Sequence, residues 1–263
     1  MKLTFLGTGA ADWDINAYTP GIFHRRFSSA LINRDLLIDP GPHIFHYAEE
    51  HDPHLLDEVR HIIVTHTHDD HFCPETVKRL CLDRDCTLWG DMACLKRLRA
   101  ALGAECTRHI RFVDTHVRPE HPYPIGGYEV FSLRSNHATE IPEEDTRLYL
   151  IGDGRRWLYY GCDSAWIPTT SWNVMRDMPI NAMVMELTCG ETAPDDWRIF
   201  EHNTLDMLEV MLRSFRKYDR FASDVKFYVS HMARTLHTDH ETLARRLEPL
   251  GVTPAYDGMS IEI

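Results

Sequence analysis

The chain has 263 residues, 43% of them hydrophobic, with 40 acidic against 28 basic residues and a formal charge of −12. That length and apolar fraction suit one large core, so a single domain over residues 1–263 is expected. The acidic balance disfavours an extended nucleic-acid footprint, which needs clustered Lys and Arg, and no run approaches the roughly eighteen apolar residues of a membrane span.

Seven scattered cysteines without C-x-x-C spacing suggest neither a disulfide framework nor a zinc knuckle. Reduced thiols in a cytoplasm fit better. The opening "MKLTFLGTG" reaches a glycine pair too soon for the apolar stretch of a signal peptide.

"KLTFLG" alternates polar and apolar residues as a strand does, and runs into a turn at Gly7, Thr8 and Gly9. Those residues either let the chain pass close to a site or make a plain tight turn. After an irregular stretch to about residue 28, "SSALINRDLLIDPGP" reads as two strands around Asn33 to Asp35. Helical spacing follows at 43–51, then the buried-type strand "HIIVT" at 61–65 and a helix opened by Pro74. Further strands are expected at 86–89, 109–113, 128–134, 147–151, 156–161, 182–187 and 225–230, with helices at 91–102, 202–217 and 239–248. The tail "TPAYDGMSIEI" reads as a closing hairpin with Asp257-Gly258 at its turn. No short-period repeat or linker interrupts this order, which suggests two sheets in a layered sandwich with helices outside.

Residues 65–72, "THTHDDHF", set three imidazoles and two carboxylates at the end of a strand. Residues two apart in an extended segment point the same way, so His66 and His68 can grip one metal, while Asp70 and His71 beyond the strand can be aimed at another. Neutral imidazole and carboxylate suit zinc, manganese or iron. Three other strand-like runs end in a comparable residue: "VFSLRSNHAT" in His137, "RWLYYGCDSA" in Asp163 and "VKFYVSHMA" in His231. Each alone could be a capped turn or a satisfied core histidine. Asp39 in "LLIDPGP" fits a group that accepts the far N–H of a metal-bound histidine, and equally a turn-initiating Asp before Pro.

The order "HTHDDH", His137, Asp163, His231 resembles the metallo-β-lactamase superfamily of dinuclear hydrolases, and the resemblance extends from "FLGTGA" to "YDGMSIEI". It implies an α+β fold, a four-layer αββα sandwich, with two divalent metals (zinc or manganese, with iron an alternative) at one sheet edge. His66, His68 and His137 would then hold one metal, Asp70, His71 and His231 the other, and Asp163 would bridge them. Two such metals can share a water and bring its pKa towards neutrality. Members that reduce oxygen at a di-iron centre typically carry Glu where this chain has His68.

"MVMELTCGE", "EHNTLDMLEVML" and "FYVSHMA" resemble the phosphodiesterase branch, in particular the cyclic phosphodiesterase of the carbon–phosphorus lyase pathway. By that resemblance His202 donates a proton to the leaving alkoxide, with Glu186, Glu191 or Glu201 available to support its charged form. The alternative is an ordinary residue at a helix start capped by Asn203 or Thr204. That enzyme carries a Cys cluster after its first strand and a C-terminal His for a structural zinc. Here "AADWDINAYTPGIFHRRFS" holds no Cys and Arg234 stands near the His position, so no third metal and a rebuilt pocket rim are expected.

Arg234, Thr235, His237 and His240 could clasp a phosphate or simply begin the helix at 239. Trp13, Tyr18, Phe23, Trp166 and Trp172 could rim a site or cover a core edge, and Cys73 and Cys162 read as packing groups. The expectation is a cytoplasmic phosphodiesterase acting on a small, ribosyl cyclic phosphate-like substrate through a hydroxide shared by the metals, with no nucleic-acid or membrane partner. A homodimer is the default assembly. A lactone or thioester hydrolase, transfer RNA 3′ processing, and a non-catalytic metal sensor stay open.

Overall fold

A computed structural model describes residues 1–15, 24–82, 84–191, 197–217 and 220–263. Tyr18 and Phe23 lie outside the described residues. One sheet contains β1 (Lys2–Gly7), β2 (Ser29–Ile32), β3 (Leu36–Ile38), β4 (His61–Ile63), β5 (Cys86–Gly90) and β6 (Ile110–Asp114), with the last strand of the chain, β14 (Ser260–Glu262), on the outer side of β1. The second runs from β7 (Tyr123–Ile125) through β8 (Tyr128–Arg134), β9 (Arg147–Gly152), β10 (Trp157–Gly161), β11 (Ile180–Glu186) and β12 (Lys226–Ser230) to β13 (Val252–Pro254).

The side-chain period of two sorts each strand between layers. Leu3, Phe5, Ile38 and Ile63 of the first sheet meet Tyr149, Ile151, Tyr160 and Val184 of the second in a shared core. The alternate residues Leu37, Ile62 and Leu88 face outward and pack under α1 (Ile44–His51), α2 (Pro74–Cys81) and α3 (Met92–Thr107). On the far side Leu150, Met183 and Val229 pack under α4 (Thr169–Met175), α5 (Leu205–Phe215) and α6 (His240–Leu247). Both faces of each sheet are therefore covered, which is why the central strands read as nearly continuous apolar runs. The result is the expected αββα sandwich.

Local signals explain most boundaries. α2 starts at Pro74 and buries Val77, Leu80 and Cys81, an i, i+3, i+4 stripe. α3 is capped by Asp91, whose side chain accepts from Ala93 N at 2.8 Å, and it continues past residue 102 because Gly103 kinks it at φ 73° instead of ending it. α5 begins only at Leu205, after the Thr204 cap, so residues 202–204 precede the helix. β7 and α4 carry no clear periodicity in the sequence. β7 is an edge strand of three residues with Pro124 in its middle, the place where a sheet tolerates proline.

The tail is not a hairpin. β13 joins the second sheet beside β12, whereas β14 pairs antiparallel with β1 in the first. The turn at Asp257-Gly258 is real, with Gly258 at φ 92°, but it carries the chain from one sheet to the other. Hydrogen bonds from Ala255 N to Val229 O (2.8 Å) and from Gly258 N to Phe5 O (2.8 Å) hold its two sides to different sheets. Among the described residues no helix is long and apolar enough to cross a membrane.

Candidate metal centre

β3 to β6 run parallel, as do β10 to β13, and β8 points the same way as β10 because both are antiparallel to β9. The carboxyl ends of these strands meet at one edge of the sandwich. His66, His68, Asp70 and His71 follow β4, His137 follows β8, Asp163 follows β10 and His231 follows β12. A tight turn, with His71 N and Phe72 N both donating to His68 O, folds Asp70 and His71 back toward the edge.

The sequence-derived set comes together. His68 Nδ1 is 3.1 Å from both His66 Nε2 and His137 Nε2. In a second group, His71 Nε2 and His231 Nε2 are 3.1 Å apart, and Asp70 Oδ2 lies 3.4 and 3.3 Å from them. Asp163 Oδ2 stands between the groups, 3.2 Å from His66, 3.4 Å from His71, 3.4 Å from His137 and 3.5 Å from His231, each measured to Nε2.

The far nitrogens assign the tautomers. His71 Nδ1 is 2.8 Å from Asp39 Oδ2, the contact that Asp39 would make if His71 held a metal. Thr65 Oγ1 donates to the same carboxylate and so receives from His66 Nδ1 at 2.9 Å. Thr188 Oγ1 donates to Glu186 Oε2 and receives from His231 Nδ1 at 2.7 Å. His137 Nδ1 sits at ion-pair distance, 3.3 Å, from Glu201 Oε2. With the outer nitrogens of His66, His71 and His231 so engaged, their Nε2 atoms face one space together with that of His137 and two carboxylates, an arrangement suited to cations. The donor set, imidazole and carboxylate without thiolate, fits divalent metal ions.

The electrostatics agree. Burial alone would lower the His71 imidazole, but the Asp70 and Asp39 carboxylates outweigh it and hold His71 well above its ordinary range. Burial, with the charge of His71 beside it, pushes His66 well below. Burial likewise brings His137 down to about 4. Asp70 and Asp163 pay the opposite penalty: burial favours their protonated forms, yet the surrounding imidazoles keep both carboxyls well below the usual range.

A cavity of about 480 Å³ opens onto the cluster, lined among others by His68, Asp70, His137, Asp163, His202 and His231. His202 Nδ1 is 2.9 Å from Asp163 Oδ1, off the line of a good hydrogen bond, and 3.9 Å from Glu186 Oε2. Burial opposes its charge, but Asp163, Glu186 and Glu201 raise His202 to about 9. Glu191 instead pairs with Arg246 on the surface.

Arg234 and Thr235 bond to Asp12, His237 bonds to Leu187 O, and His240 Nδ1 meets Arg25; none of the four lines the cavity. Trp13 donates to Met232 O and Trp172 stacks on Phe215, so both cover core edges. Cys162 is a core residue and Cys73 is half-buried. Thr65, Thr188 and Glu144 carry no sequence pattern and were not anticipated. Glu144 Oε2 accepts from Thr67 Oγ1 (2.5 Å) and Thr139 Oγ1 (2.7 Å), tying the His66–His68 segment to the one that follows His137.

Residues 34–247 match the family model described as the beta-lactamase superfamily domain. The fold is similar to a diphosphatase from the PhnP family (18% identity, covering 100% of this chain and 97% of that one, TM-score 0.74). It is similar to Zn(2+)-bound PqqB from Methylobacterium extorquens (15%, 100% of both chains, TM-score 0.75) and to the short form of human tRNase Z (18%, 100% and 99%, TM-score 0.68). No curated protein matches by sequence. With the family model spanning most of its length and the His/Asp cluster at the shared sheet edge, the chain belongs to the metallo-β-lactamase superfamily of metal-dependent hydrolases.

Proposed function

We propose that this chain is a dinuclear metal-dependent phosphodiesterase acting on a small phosphodiester, with His202 as proton donor. The observation that carries this reading is Asp163 Oδ2 lying within 3.5 Å of four Nε2 atoms drawn from both ligand groups. His66, His68 and His137 would hold one ion, Asp70, His71 and His231 the other, and Asp163 would join them. A divalent pair bound there supplies an activated water and neutralises charge on the phosphoryl oxygens.

The chain's own residues do the rest. Asp39, Thr65 and Thr188 hold the outer nitrogens of His71, His66 and His231, which favours the ligating tautomer of each. Asp163 divides its carboxylate, Oδ2 toward the four imidazoles and Oδ1 2.9 Å from His202 Nδ1, so the proposed acid stands beside the cluster it would serve. Glu186, fully buried, is itself raised by burial and adds to the field that keeps His202 charged. An imidazolium beside the cavity suits an alkoxide leaving group, which cannot depart near neutral pH without a proton. The PhnP-family diphosphatase among the structural neighbours is consistent with phosphoester chemistry. The similar fold of tRNase Z is weighed against a net charge of −12 and the carboxylates of Asp12, Glu140 and Glu201 around the cavity, which work against RNA. Seven free thiols support a reducing compartment such as the cytoplasm.

The test is elemental analysis of protein reconstituted with Zn²⁺ or Mn²⁺, alongside turnover of bis(p-nitrophenyl) phosphate and a lactone and thioester panel. Two equivalents of metal and phosphodiester turnover are expected. Turnover confined to lactones or thioesters, or bound metal with no ester turnover, overturns the reading.

A further inference from the structure

The short 3₁₀ turn Trp197–Phe200 is separated from His202 by Glu201 and contains no buried residue. Trp197 is 68% exposed and Phe200 73%, and Trp166, on the facing segment after Asp163, is 43% exposed. Trp13 and Trp172, also in or near loops, are occupied by core-edge contacts, so this group of open rings is a local feature and not the chain's habit. Trp197 and the adjacent Arg198 line the catalytic cavity. Among the described residues lining it, Arg198 alone bears a permanent positive charge.

The rim is built onto the backbone that carries the chemistry. Arg198 O accepts from His202 N (2.7 Å) and Glu201 N (2.9 Å), while Ala165 N donates to Glu201 O (2.7 Å). The buried Asn203 side chain accepts from Trp166 N (3.1 Å) and donates to Ser164 O (3.0 Å), fastening the two aromatic-bearing segments together. Asp163, His202, Trp166 and Trp197 thus belong to one interlocked unit. Trp197 and His202 line the same cavity, so a flat group held on the indole shares that cavity with the proposed acid.

We propose that Trp197 forms a stacking subsite for a nucleobase of the substrate, so that the substrate is a nucleoside phosphodiester and not a bare sugar phosphate. Base stacking on an exposed indole is sequence-tolerant because every base offers a π face. The reaction balances as hydrolysis: water oxygen bonds to phosphorus, the P–O bond to the ribose breaks, His202 gives its proton to the departing oxygen, and the proton released by water restores His202. The products are a phosphomonoester and the nucleoside hydroxyl.

This inference rests on the phosphodiesterase reading above, and the experiment separates the two. Metal-loaded wild type and Trp197→Ala are assayed on adenosine 2′,3′-cyclic phosphate and on methyl riboside 2,3-cyclic phosphate, which offer the same bond with and without a base. Bis(p-nitrophenyl) phosphate serves as the control for phosphodiesterase activity. The wild-type preference in kcat/KM for the base-bearing substrate is expected to be at least tenfold, expressed in KM, and to collapse in Trp197→Ala but persist largely in Trp197→Phe. Quenching of tryptophan fluorescence by adenosine monophosphate should weaken in the alanine variant to match. Equal kcat/KM for the two cyclic substrates, or a preference unchanged in Trp197→Ala, refutes the subsite while leaving the phosphodiesterase reading intact. A concentration-dependent dimer lost in Trp197→Ala without a change in preference also refutes it, because the rim is then a contact between copies. Failure of bis(p-nitrophenyl) phosphate turnover refutes the underlying reading itself.

Discussion

Replacing His202 with alanine gives the sharpest test of the proposed mechanism. The ring stands 2.9 Å from Asp163 Oδ1 and 3.9 Å from Glu186 Oε2, and its pKa is raised from 6.5 to about 9. At about 1.4 kcal/mol per unit the shift corresponds to about 3 kcal/mol favouring the charged form. At pH 7.5 this keeps nearly all of the acid form, about ten times more than an unperturbed imidazole would hold. General acids contribute roughly 10²–10⁴-fold to such steps. Loss of that order is therefore expected in kcat for an alkyl or cyclic ester, whose leaving group needs the proton. On bis(p-nitrophenyl) phosphate, whose phenolate departs unaided, the loss should be less than about tenfold. Both substrates are compared at matched metal content, measured by elemental analysis. Equal losses on the two would refute proton donation. The sign of the pH effect follows from the raised pKa: activity on the alkyl ester falls as pH rises through the value of His202. In the loaded protein that limb lies between 6.5 and about 9, since cations at Asp163 Oδ2 offset part of the field. In metal-free protein the same interaction stabilises the fold fully below pH 6.5 and is lost as pH rises through about 9, so the pH dependence of the melting temperature over that interval should flatten in His202→Ala.

Asp163→Asn removes the carboxylate charge shared by both groups and is expected to lower metal content from two equivalents to one or fewer on dialysis against metal-free buffer; two retained equivalents would contradict the bridging role. Glu144→Ala frees the Thr67 and Thr139 hydroxyls and should weaken the ion of the His66–His68–His137 group roughly 10–100-fold, with the other group spared. Glu144→Gln, which keeps an acceptor oxygen, should retain most of the affinity. Because His71 lies well above its ordinary range without metal, uptake of the second ion must expel a proton. Calorimetry in buffers of different ionisation enthalpy should therefore report proton release and an affinity that falls as pH drops; buffer-independent heats would argue against it.

Element positions were largely legible because burial on both faces leaves continuous apolar runs and because helix signals such as Pro74 and Asp91 act locally. The convergence of the His/Asp cluster was legible for a related reason. A parallel sheet puts the residue after each strand at one edge, so His137, Asp163 and His231 could be recognised as the polar ends of strand-like runs. The closing hairpin failed because adjacency in sequence cannot reveal that Val252–Pro254 and Ser260–Glu262 belong to different sheets. β7, with Pro124 at its centre, was invisible because strand propensity excludes proline, and only its position at the sheet edge permits it. Thr65, Thr188 and Glu144 were missed for a different reason. A single hydroxyl or carboxylate that orients a ligand acquires its role only from tertiary contact, and no spacing announces it.

Backbone conformation adds what the ligand list leaves out. Asp39, Asp163 and His231 all adopt left-handed φ, at 53°, 64° and 54°, and none is glycine. Each such residue costs on the order of 1–2 kcal/mol. Each directly follows its strand or, for Asp163, follows by one residue, and the reversed backbone turns a side chain inward where an extended continuation would carry it past the edge. Surrounding contacts hold the strained conformers: Asp39 accepts from Thr65 N at 2.8 Å, Ser135 Oγ donates to Asp163 O at 3.0 Å, and Thr188 Oγ1 lies 2.9 Å from His231 O. Positive φ also occurs at Asn33 (51°) and Arg34 (149°), in the turn between β2 and β3 at the opposite end of the sheet, so backbone strain is not confined to this edge. A glycine at any of the three positions would ease the backbone but forfeit the donor. If Asp163 and His231 hold metal as proposed, the donor that each supplies offsets its backbone cost.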